Sequence, residues 1–361
     1  MINLNPAGAI ASAGFFMETA MATKPYLSAL LMLALSASLS ACTAAAENPE
    51  LRLSDQRGTL LIGNKGEDTL SFVDLRTGKE LAKKDTGHQP HEIAISPDSR
   101  LAAVVSYGGE SIDIFDIAAR EKVETIDLTP NKRPHGVIWL NDGRIMATTE
   151  GSDSVTIVSP PTGEAQTRTV SSISTGQKGS HMLAISPDKE RGYVSNMQSG
   201  TVSVLNLKTG QKIIDLPAGK EPEGLALTPD GKRLLVADRQ NNMLFVFDTK
   251  TLAEIAAVET GNFPIRVAVS PDGQTAVTSD LGDGALGLFD LETLAFTRTI
   301  SVSGDKRSGQ VTILFSTNGD KIYAAETGTN RIAEIDLESG QVERRLPAGT
   351  NGDGLGIALP M

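Results

Sequence analysis

The chain has little of several residue types that commonly point to a function. It contains one cysteine, Cys42, so no intramolecular disulfide can form. Only 4% of its 361 residues are aromatic, and 44 acidic residues outnumber 33 Lys and Arg, which gives a net charge of -11. Because nucleic-acid binding depends on clustered cations and on aromatic stacking, this composition argues against a nucleic-acid partner.

The sequence also lacks the motifs of common enzyme and cofactor classes. It has no Gly-x-Ser-x-Gly nucleophile elbow, no P-loop and no dinucleotide-binding fingerprint. It has no Cys-x-x-Cys-His segment, and we therefore predict no covalently attached haem. The sequence assigns no cofactor, but the histidines described below make a transition metal a candidate.

One phrase recurs along the chain, with apolar residues followed by Ser or Thr, Pro and Asp. Clear copies occupy residues 91–98, 181–188, 223–231 and 265–273, and weaker ones follow at other positions. The turn position falls at 97, 141, 187, 229, 271 and 317, in steps of 44, 46, 42, 42 and 46 residues. Each unit contains four short apolar runs separated by turn signals. Four strands per unit at this period indicate a β-propeller.

The number of units closes at seven. Residues 58–86 supply three strands without an inner strand, and residues 353–359 supply an inner strand with nothing after it. Together they complete one blade, which removes the open ends of a linear array. We therefore predict an all-β, seven-bladed β-propeller over residues 58–361. It has four antiparallel strands per blade, and the C-terminal strand closes the ring by completing the first blade.

The fourth unit carries a recognisable pattern. Residues 192–196 read Gly-Tyr-Val-Ser-Asn, and residues 200–210 read Gly-Thr-Val-Ser-Val-Leu-Asn-Leu-Lys-Thr-Gly. This pattern resembles the YVTN repeat, and the resemblance covers residues 58–359. YVTN repeats occur in extracytoplasmic seven-bladed propellers, in surface-layer proteins and in relatives of the haem-d domain of periplasmic nitrite reductases. The resemblance implies the propeller fold, and because the family has several functions it implies no single one.

The N-terminal residues predict export. Residues 21–41 have a cationic start, an apolar stretch too short to span a bilayer comfortably, and small residues at a cleavage point. We interpret them as a lipoprotein signal peptide. Residues 1–20 have no role in this scheme, and we interpret them as a misassigned start. Residues 42–57 are predicted to be a lipidated cysteine and a flexible tether.

The anchor prediction depends on four residues at the cleavage point. Leu-Ser-Ala-Cys, ending at Cys42, resembles a bacterial lipobox, which implies that the thiol of Cys42 is lipidated. A plain signal peptide with an incidental cysteine is the alternative. Thr43, in place of an Asp, favours the periplasmic face of the outer membrane. We therefore expect a monomeric protein of the bacterial cell envelope that meets the membrane only through its lipid.

Three of the four histidines share one repeat position, six residues before the turn. This position begins the inner strand, so its side chains are predicted to meet at one mouth of the central channel. In chain order the position holds His91, His135, His181, Glu223, Ile265, Val311 and Asp353, with Arg266 beside Ile265. The loops that lead into the inner strands carry Lys132, Arg133, Lys178, Lys220, Lys306 and Arg307. We expect imidazoles and cations to gather around this mouth.

Three interpretations of the mouth stay open. In the first interpretation, the histidines are inherited structural groups that cap strands and bond neighbouring carbonyls. Alternatively, His91, His135 and His181 together with a carboxylate bind a transition metal such as Zn, Cu or Fe, although these ligands would come from blades about 45 residues apart. In the third interpretation the mouth holds a small anionic molecule, with His for proton transfer and Arg266 for a carboxylate.

A second resemblance supports the third interpretation. Seven-bladed lactonases and muconate cyclases are similar in carrying His, Glu and Arg at inner-strand starts. The matching positions here are His181, Glu223 and Arg266. In muconate cyclases such a set serves proton transfer and carboxylate binding, so the resemblance implies a lactonase-like or lyase-like enzyme.

We predict binding rather than catalysis as the main role. The predicted site holds a small anionic molecule, a metal or an envelope protein, and consists of His91, His135, His181, Glu223 and Arg266. A lactonase-like or lyase-like enzyme with His181 and Glu223 as acid and base is the alternative. A non-catalytic scaffold that uses the rim loops is the third possibility.

Overall fold

The short apolar runs of the repeats form β-strands in the part of the chain that the structure, a computed structural model, describes. That part is residues 58–164 and 167–360. It contains 28 strands in seven antiparallel sheets of four. The predicted seven-bladed fold is therefore confirmed. The predictions of a misassigned start, a signal peptide, a lipidated Cys42 and a tether all fall outside the described residues.

The strands that contact each other around the ring are the first strands of successive sheets and line the channel. They are β4 Pro90–Ile95, β8 Pro134–Trp139, β12 Ser180–Ile185, β16 Pro222–Leu227, β20 Pro264–Val269, β24 Gln310–Phe315 and β28 Gly352–Ala358. The second strands are β1 Thr59–Asn64, β5 Leu101–Ser106, β9 Ile145–Thr149, β13 Arg191–Asn196, β17 Arg233–Asp238, β21 Thr275–Asp280 and β25 Lys321–Glu326.

The third and fourth strands complete each blade outward. The third strands are β2 Thr69–Asp74, β6 Ser111–Asp116, β10 Ser154–Val158, β14 Thr201–Asn206, β18 Met243–Asp248, β22 Ala285–Asp290 and β26 Arg331–Asp336. The outer strands are β3 Glu80–Asp85, β7 Glu121–Asp127, β11 Val170–Ser174, β15 Gln211–Pro217, β19 Glu254–Glu259, β23 Ala295–Ser301 and β27 Val342–Pro347. Short 3-10 helices lie at Glu150–Ser152, Met197–Ser199, Lys306–Ser308 and Thr327–Thr329. No helix among the described residues is long and apolar enough to cross a membrane.

The ring closes as predicted. The C-terminal strand β28 pairs antiparallel with β1, with Thr59 opposite Ala358, so blade 1 has the order β28-β1-β2-β3. Blades 2 to 7 then follow in chain order from β4 to β27. Strand β28 also contacts the inner strands on both sides, β4 and β24. The last strand of the chain therefore joins its two ends in one blade.

Apolar side chains hold the blades together. Each of the seven blade interfaces in the described part of the chain has its own buried cluster. Between blades 2 and 3, for example, Val105 and Ile114 pack against Ile145 and Val158. The outer strands, in contrast, are largely exposed. Burial of apolar surface is the main stabilising term in such a ring, so the middle strands fix the inner strands in place.

Candidate functional site

A β-bulge at the start of every inner strand shapes the channel mouth. In β4, Pro90 pairs with Ser106 and Ile93 with Val104, so that two residues, His91 and Glu92, stand opposite one. The other six inner strands have one extra residue at the same place. A bulge breaks the alternation of a strand and re-aims side chains. Two consecutive residues of an inner strand can therefore both reach the channel.

The cavity at this mouth, which we call the funnel, has a volume of about 420 Å³. Two rings of repeat positions line it. The strand-start ring consists of the second residue of each inner strand: His91, His135, His181, Glu223, Ile265, Val311 and Asp353. The loop ring consists of the first residue after each second strand: Lys65, Tyr107, Glu150, Met197, Arg239, Leu281 and Thr327. The strand-start ring was predicted from the sequence, whereas the loop ring was not, although the repeat register locates it.

The three predicted histidines come together as a stack. The ring centroids of His91 and His135 are 4.1 Å apart, and those of His135 and His181 are 3.6 Å apart. All three residues are at least nine-tenths buried. Separation of about 45 residues in sequence is therefore no obstacle to a shared site, because neighbouring inner strands approach closely at the channel. A Cβ on Gly354, for instance, would lie 1.6 Å from the carbonyl oxygen of His91.

Each stacked ring has a buried nitrogen without a hydrogen-bond partner: Nδ1 of His91, Nδ1 of His135 and Nε2 of His181. The backbone carbonyls of His181 and of Glu223 in the next blade accept from side chains of other strands. Thr148 donates to the carbonyl of His181 at 2.5 Å, and Ser195 donates to that of Glu223 at 3.0 Å. The three unpartnered nitrogens bond no neighbouring carbonyl, so they are not strand caps of the kind that the inherited-histidine interpretation describes. An unpartnered buried polar atom is costly and calls for an explanation.

Arg266 does not face the funnel as a free cation. Its guanidinium donates to Glu92 Oε1 at 3.0 Å, to Glu223 Oε1 at 3.1 Å and to the carbonyl of Ile265 at 3.0 Å. Glu92 and Arg266 both follow the strand-start ring by one residue, and the bulges bring both toward the axis. Glu92 is the important residue that the sequence reasoning missed, since a regular strand would turn it away from the channel.

His181 lies between two carboxylates. Its Nδ1 is 2.9 Å from Glu150 Oε2, and its Nε2 is 3.5 Å from Glu223 Oε1. Glu223 is also paired with Arg239, whose guanidinium is 2.5 Å away. His181 and Glu223 are thus adjacent, as the second resemblance implies, but both belong to a dense ionic network.

Tyr107 of the loop ring covers the other two histidines. Its ring meets those of His91 and His135 edge-on, at 5.4 Å between centroids in each case. Lys65 and Arg133 lie against the tyrosine ring, 5.0 and 4.6 Å from its centroid. The tyrosine thereby separates part of the histidine stack from water.

Imidazoles and cations gather at the mouth as expected, but none of the six loop cations named from the sequence lines the funnel. Among the described residues that line the funnel, three cations face three carboxylates, and each cation has a partner. Of the loop cations, Arg133 reaches Tyr107 and Glu150 at the edge of the site. Lys132, Lys178 and Arg307 are strongly exposed and pair with their own acidic neighbours, and neither Lys220 nor Lys306 lines the funnel. Loop charges point to solvent because burial of an unpaired charge is costly.

Burial sets the protonation of the histidines. It lowers the pKa of His91 to about 3 despite the nearby Asp353, and together with the neighbouring charges it lowers the pKa of His135 well below its usual range. Burial acts in the same direction on His181, but its hydrogen bond with Glu150 and the nearby carboxylate of Glu223 raise its pKa overall. His91 and His135 are therefore neutral at pH 7, the form in which imidazole binds metals.

One group of side chains in the described part of the chain has the geometry of a metal site. His91, Glu92 and His135 each offer one ligand atom, and these three atoms lie within 4.8 Å of one another. Glu92 thus takes the place that the sequence reasoning gave to His181. Two imidazoles and a carboxylate are ligands that Zn²⁺ and Fe²⁺ accept, with positions left open for another ligand.

Comparison with known proteins identifies the family. The family model described as "Lactonase, 7-bladed beta-propeller" matches residues 34–293, and the chain belongs to this family. No curated protein matches it.

Solved structures with the same fold are distant in sequence. Hydrazine synthase of Kuenenia stuttgartiensis is 18% identical, with a TM-score of 0.67 over 78% of this chain and 92% of its own. A functionally unknown protein from Desulfotomaculum acetoxidans is 17% identical, with a TM-score of 0.71 over 84% of this chain and 100% of its own. The dihydro-haem d1 dehydrogenase NirN, solved in complex with DHE, is 14% identical, with a TM-score of 0.62 over 84% of this chain and 75% of its own. At these identities the likeness shows the fold alone.

Proposed function

We propose that this protein binds a divalent transition metal at the mouth of its propeller channel, through His91, His135 and Glu92. The observation that carries the proposal is the pair of stacked, buried imidazoles whose Nδ1 atoms have no hydrogen-bond partner. The carboxylate of Glu92 supports it, since Oε1 stands 3.7 Å from Nδ1 of His91. Because one ligand atom of each residue lies within 4.8 Å of the other two, a metal ion between them would give buried imidazole nitrogens a partner.

Supporting contacts around the three ligands resemble those of known metal sites. Arg266 donates to Glu92 and would fix the orientation of its carboxylate. Asp353 stands 3.4 Å from Nε2 of His91, where it would orient the imidazole. Such outer contacts tune metal affinity in other proteins. Zn²⁺ and Fe²⁺ are the ions that this ligand set favours, and Cu²⁺ is the third candidate.

The balance of charges favours a metal over an anion as the first ligand of the funnel. Arg266, which the third sequence interpretation assigned to a substrate carboxylate, already holds Glu92 and Glu223. Arg239 is likewise held by Glu221 and Glu223. An anion would have to displace these carboxylates. A metal ion instead meets neutral nitrogens and a carboxylate that can keep its hydrogen bond from Arg266.

The proposed setting is the cell envelope. Support for export comes from the signal-peptide pattern of residues 21–41 and from the YVTN-type repeats. Support for a lipid anchor comes from the lipobox that ends at Cys42. We propose that the metal-binding funnel is exposed to the periplasm from the outer membrane.

Metal analysis tests the proposal directly. The protein, purified without chelator or affinity histidines, is dialysed against Zn²⁺ and its metal content is measured. We expect close to one Zn²⁺ per chain, and its loss in the His91→Ala, His135→Ala double variant. His88→Ala is the matched control, because His88 is 62% exposed in its side chain and pairs with Asp68 away from the cluster. Equal zinc in the double variant and the control would exclude the site.

The second candidate function is an enzyme of the lactonase or lyase kind. It is favoured by the family and by the position of His181 between two carboxylates. The geometry is less suited to Glu223 as a base. Although burial opposes it, contacts with His181, Arg266 and Arg239 lower the pKa of Glu223 to about 2. Turnover of γ-butyrolactone that is lost in Glu223→Gln would favour this candidate over simple binding.

A further inference from the structure

The funnel has two chemically different sides. On one side, Asp353, His91, His135 and His181 of blades 1 to 4 present carboxylate and imidazole groups. On the other side, Ile265 of blade 6 and Val311 of blade 7 occupy the same strand-start ring. The strand-start ring, which supplies two of the three proposed metal ligands, is thus apolar on the opposite side of the channel.

The apolar side is larger than the strand-start ring alone. Leu281 of the loop ring and Phe263, two residues before Ile265, also line the funnel, and both are partly exposed. In the other six blades the position of Phe263 holds Gln89, Arg133, Gly179, Glu221, Gly309 and Asn351, all polar or glycine. Blade 6 therefore departs from the repeat by placing an aromatic ring in the cavity.

We infer that the funnel takes a small organic ligand with an anionic, metal-coordinating head and an apolar body that lies on Phe263, Leu281, Ile265 and Val311. This inference rests on the proposed metal site. With the proposed ligand Glu92, four carboxylates face the three cations of the site, so a bound divalent ion leaves one net positive charge that an anionic oxygen offsets. The metal keeps an open position for that oxygen, since the protein supplies three ligands.

The size of the funnel fits this class of ligand. A volume of about 420 Å³ falls within the range of small-molecule pockets. Removal of partly exposed apolar side chains from water by a ligand contributes a favourable free energy of binding. A ligand that only coordinates the metal leaves this gain unused, whereas a ligand with an aromatic or branched body uses both sides of the funnel.

A pair of hydroxamates tests the inference. Acetohydroxamate and benzohydroxamate share a metal-binding head and differ in the apolar body. Their affinities for the zinc-loaded full chain are measured by calorimetry, with the zinc content determined in the same samples. We expect benzohydroxamate to bind at least tenfold more tightly, and this ratio to fall towards one in Phe263→Ala and in Leu281→Ala. Acetohydroxamate affinity stays within twofold in both variants.

Leu81→Ala provides the matched control, because Leu81 lies on outer strand β3, far from the funnel lining, and is 40% exposed. It should leave the affinity ratio unchanged. If zinc binds but the ratio is near one, or if Phe263→Ala and Leu281→Ala behave like the control, the apolar side is not a ligand surface and the metal site stands. If no zinc binds, the metal site and this inference fail together.

Discussion

The two ends of the same inner strands follow different rules. At the turn end, four blades repeat one local arrangement, in which a Ser or Thr hydroxyl donates to the Asp two residues later. The distances are 2.6 Å for Ser96 and Asp98, 2.5 Å for Ser186 and Asp188, 2.7 Å for Thr228 and Asp230, and 2.5 Å for Ser270 and Asp272. At the mouth end, the blades carry His, Glu, Ile, Val or Asp at one position.

The contrast separates what the fold needs from what a site needs. The turn residues satisfy each other within a few positions of the chain, so the arrangement can be copied from blade to blade. At the mouth, Nδ1 of His91 and Nδ1 of His135 have no hydrogen-bond partner. Polar groups that the fold leaves unsatisfied are costly, and they concentrate where a ligand would supply the partner.

The largest effect should come from removing a proposed ligand. We expect His135→Ala to weaken zinc binding by at least about 100-fold, more than the loss typical of an outer contact. His181→Ala should cost at most about tenfold, because Nδ1 of His181 is already held by Glu150. Asp98→Ala, in the turn that follows the strand of His91, should leave the zinc affinity unchanged. Competition calorimetry with a zinc chelator measures all three, and similar losses in His135→Ala and Asp98→Ala would contradict the contrast.

The second prediction concerns the carboxylate of the proposed site. Glu92→Gln keeps the shape of the side chain but replaces a charged ligand by a weak one, and zinc affinity should fall about 10- to 100-fold. The change also leaves Arg266 with fewer carboxylate partners. Glu221→Gln is the control, because Glu221 pairs with Arg239 outside the histidine cluster. Retention of full zinc affinity in Glu92→Gln would remove Glu92 from the ligand set.

The fold followed from the sequence because its signals are local and repeated. Turn residues and short apolar runs specify each blade, and the missing inner strand near residue 58 predicts the closure by β28. The convergence of the three histidines also followed from the repeat register. What the sequence did not show is the bulge, which turns Glu92 and Arg266 toward the axis together. In a regular strand, neighbouring residues point to opposite faces. Glu92 and Arg266 would then both point away from the channel, so their ion pair was not predicted.

The pairing of charged side chains was the other feature that could not be predicted from the sequence. A list of loop cations says nothing about which of them meet carboxylates in space. Arg239 and Lys65 belong to the loop ring and line the funnel, whereas Lys178 forms a surface ion pair with Asp153. Pairing across blades depends on the closed ring, and it decides which cations lie at the mouth and which lie on the surface.

The third prediction uses a buried carboxylate at the mouth end of strand β21. Burial raises the pKa of Asp280 to about 7, against the opposing hydrogen bond from Thr278. The folded protein therefore keeps a proton that the unfolded chain loses from about pH 4 upward, so this residue lowers the free energy of unfolding as the pH rises from 4 to 7. Asp280→Asn should be close to neutral at pH 4 and should stabilise the protein by about 1 to 2 kcal/mol at pH 8.

Chemical denaturation at both pH values measures the effect of Asp280→Asn. Asp238→Asn is the matched control on strand β17, because Asp238 accepts from the backbone N–H groups of Lys220 and Glu221, each at 2.9 Å. It should be destabilising at pH 8. Equal effects of the two variants at pH 8 would show that Asp280 is as well satisfied as Asp238.

The smallest effect should come from the turn end. In blade 6, Ser270 donates to Asp272, and its hydroxyl accepts from the backbone N–H of Thr275 at 3.0 Å. Ser270→Ala removes two hydrogen bonds in a partly exposed turn, so the free energy of unfolding should fall by about 1 kcal/mol. Zinc affinity and the hydroxamate ratio should not change, because the turn lies at the far end of β20 from Ile265 and Arg266. A change in either binding measurement without a change in stability would mean that the two ends of the inner strand are coupled, and the division between them would have to be abandoned.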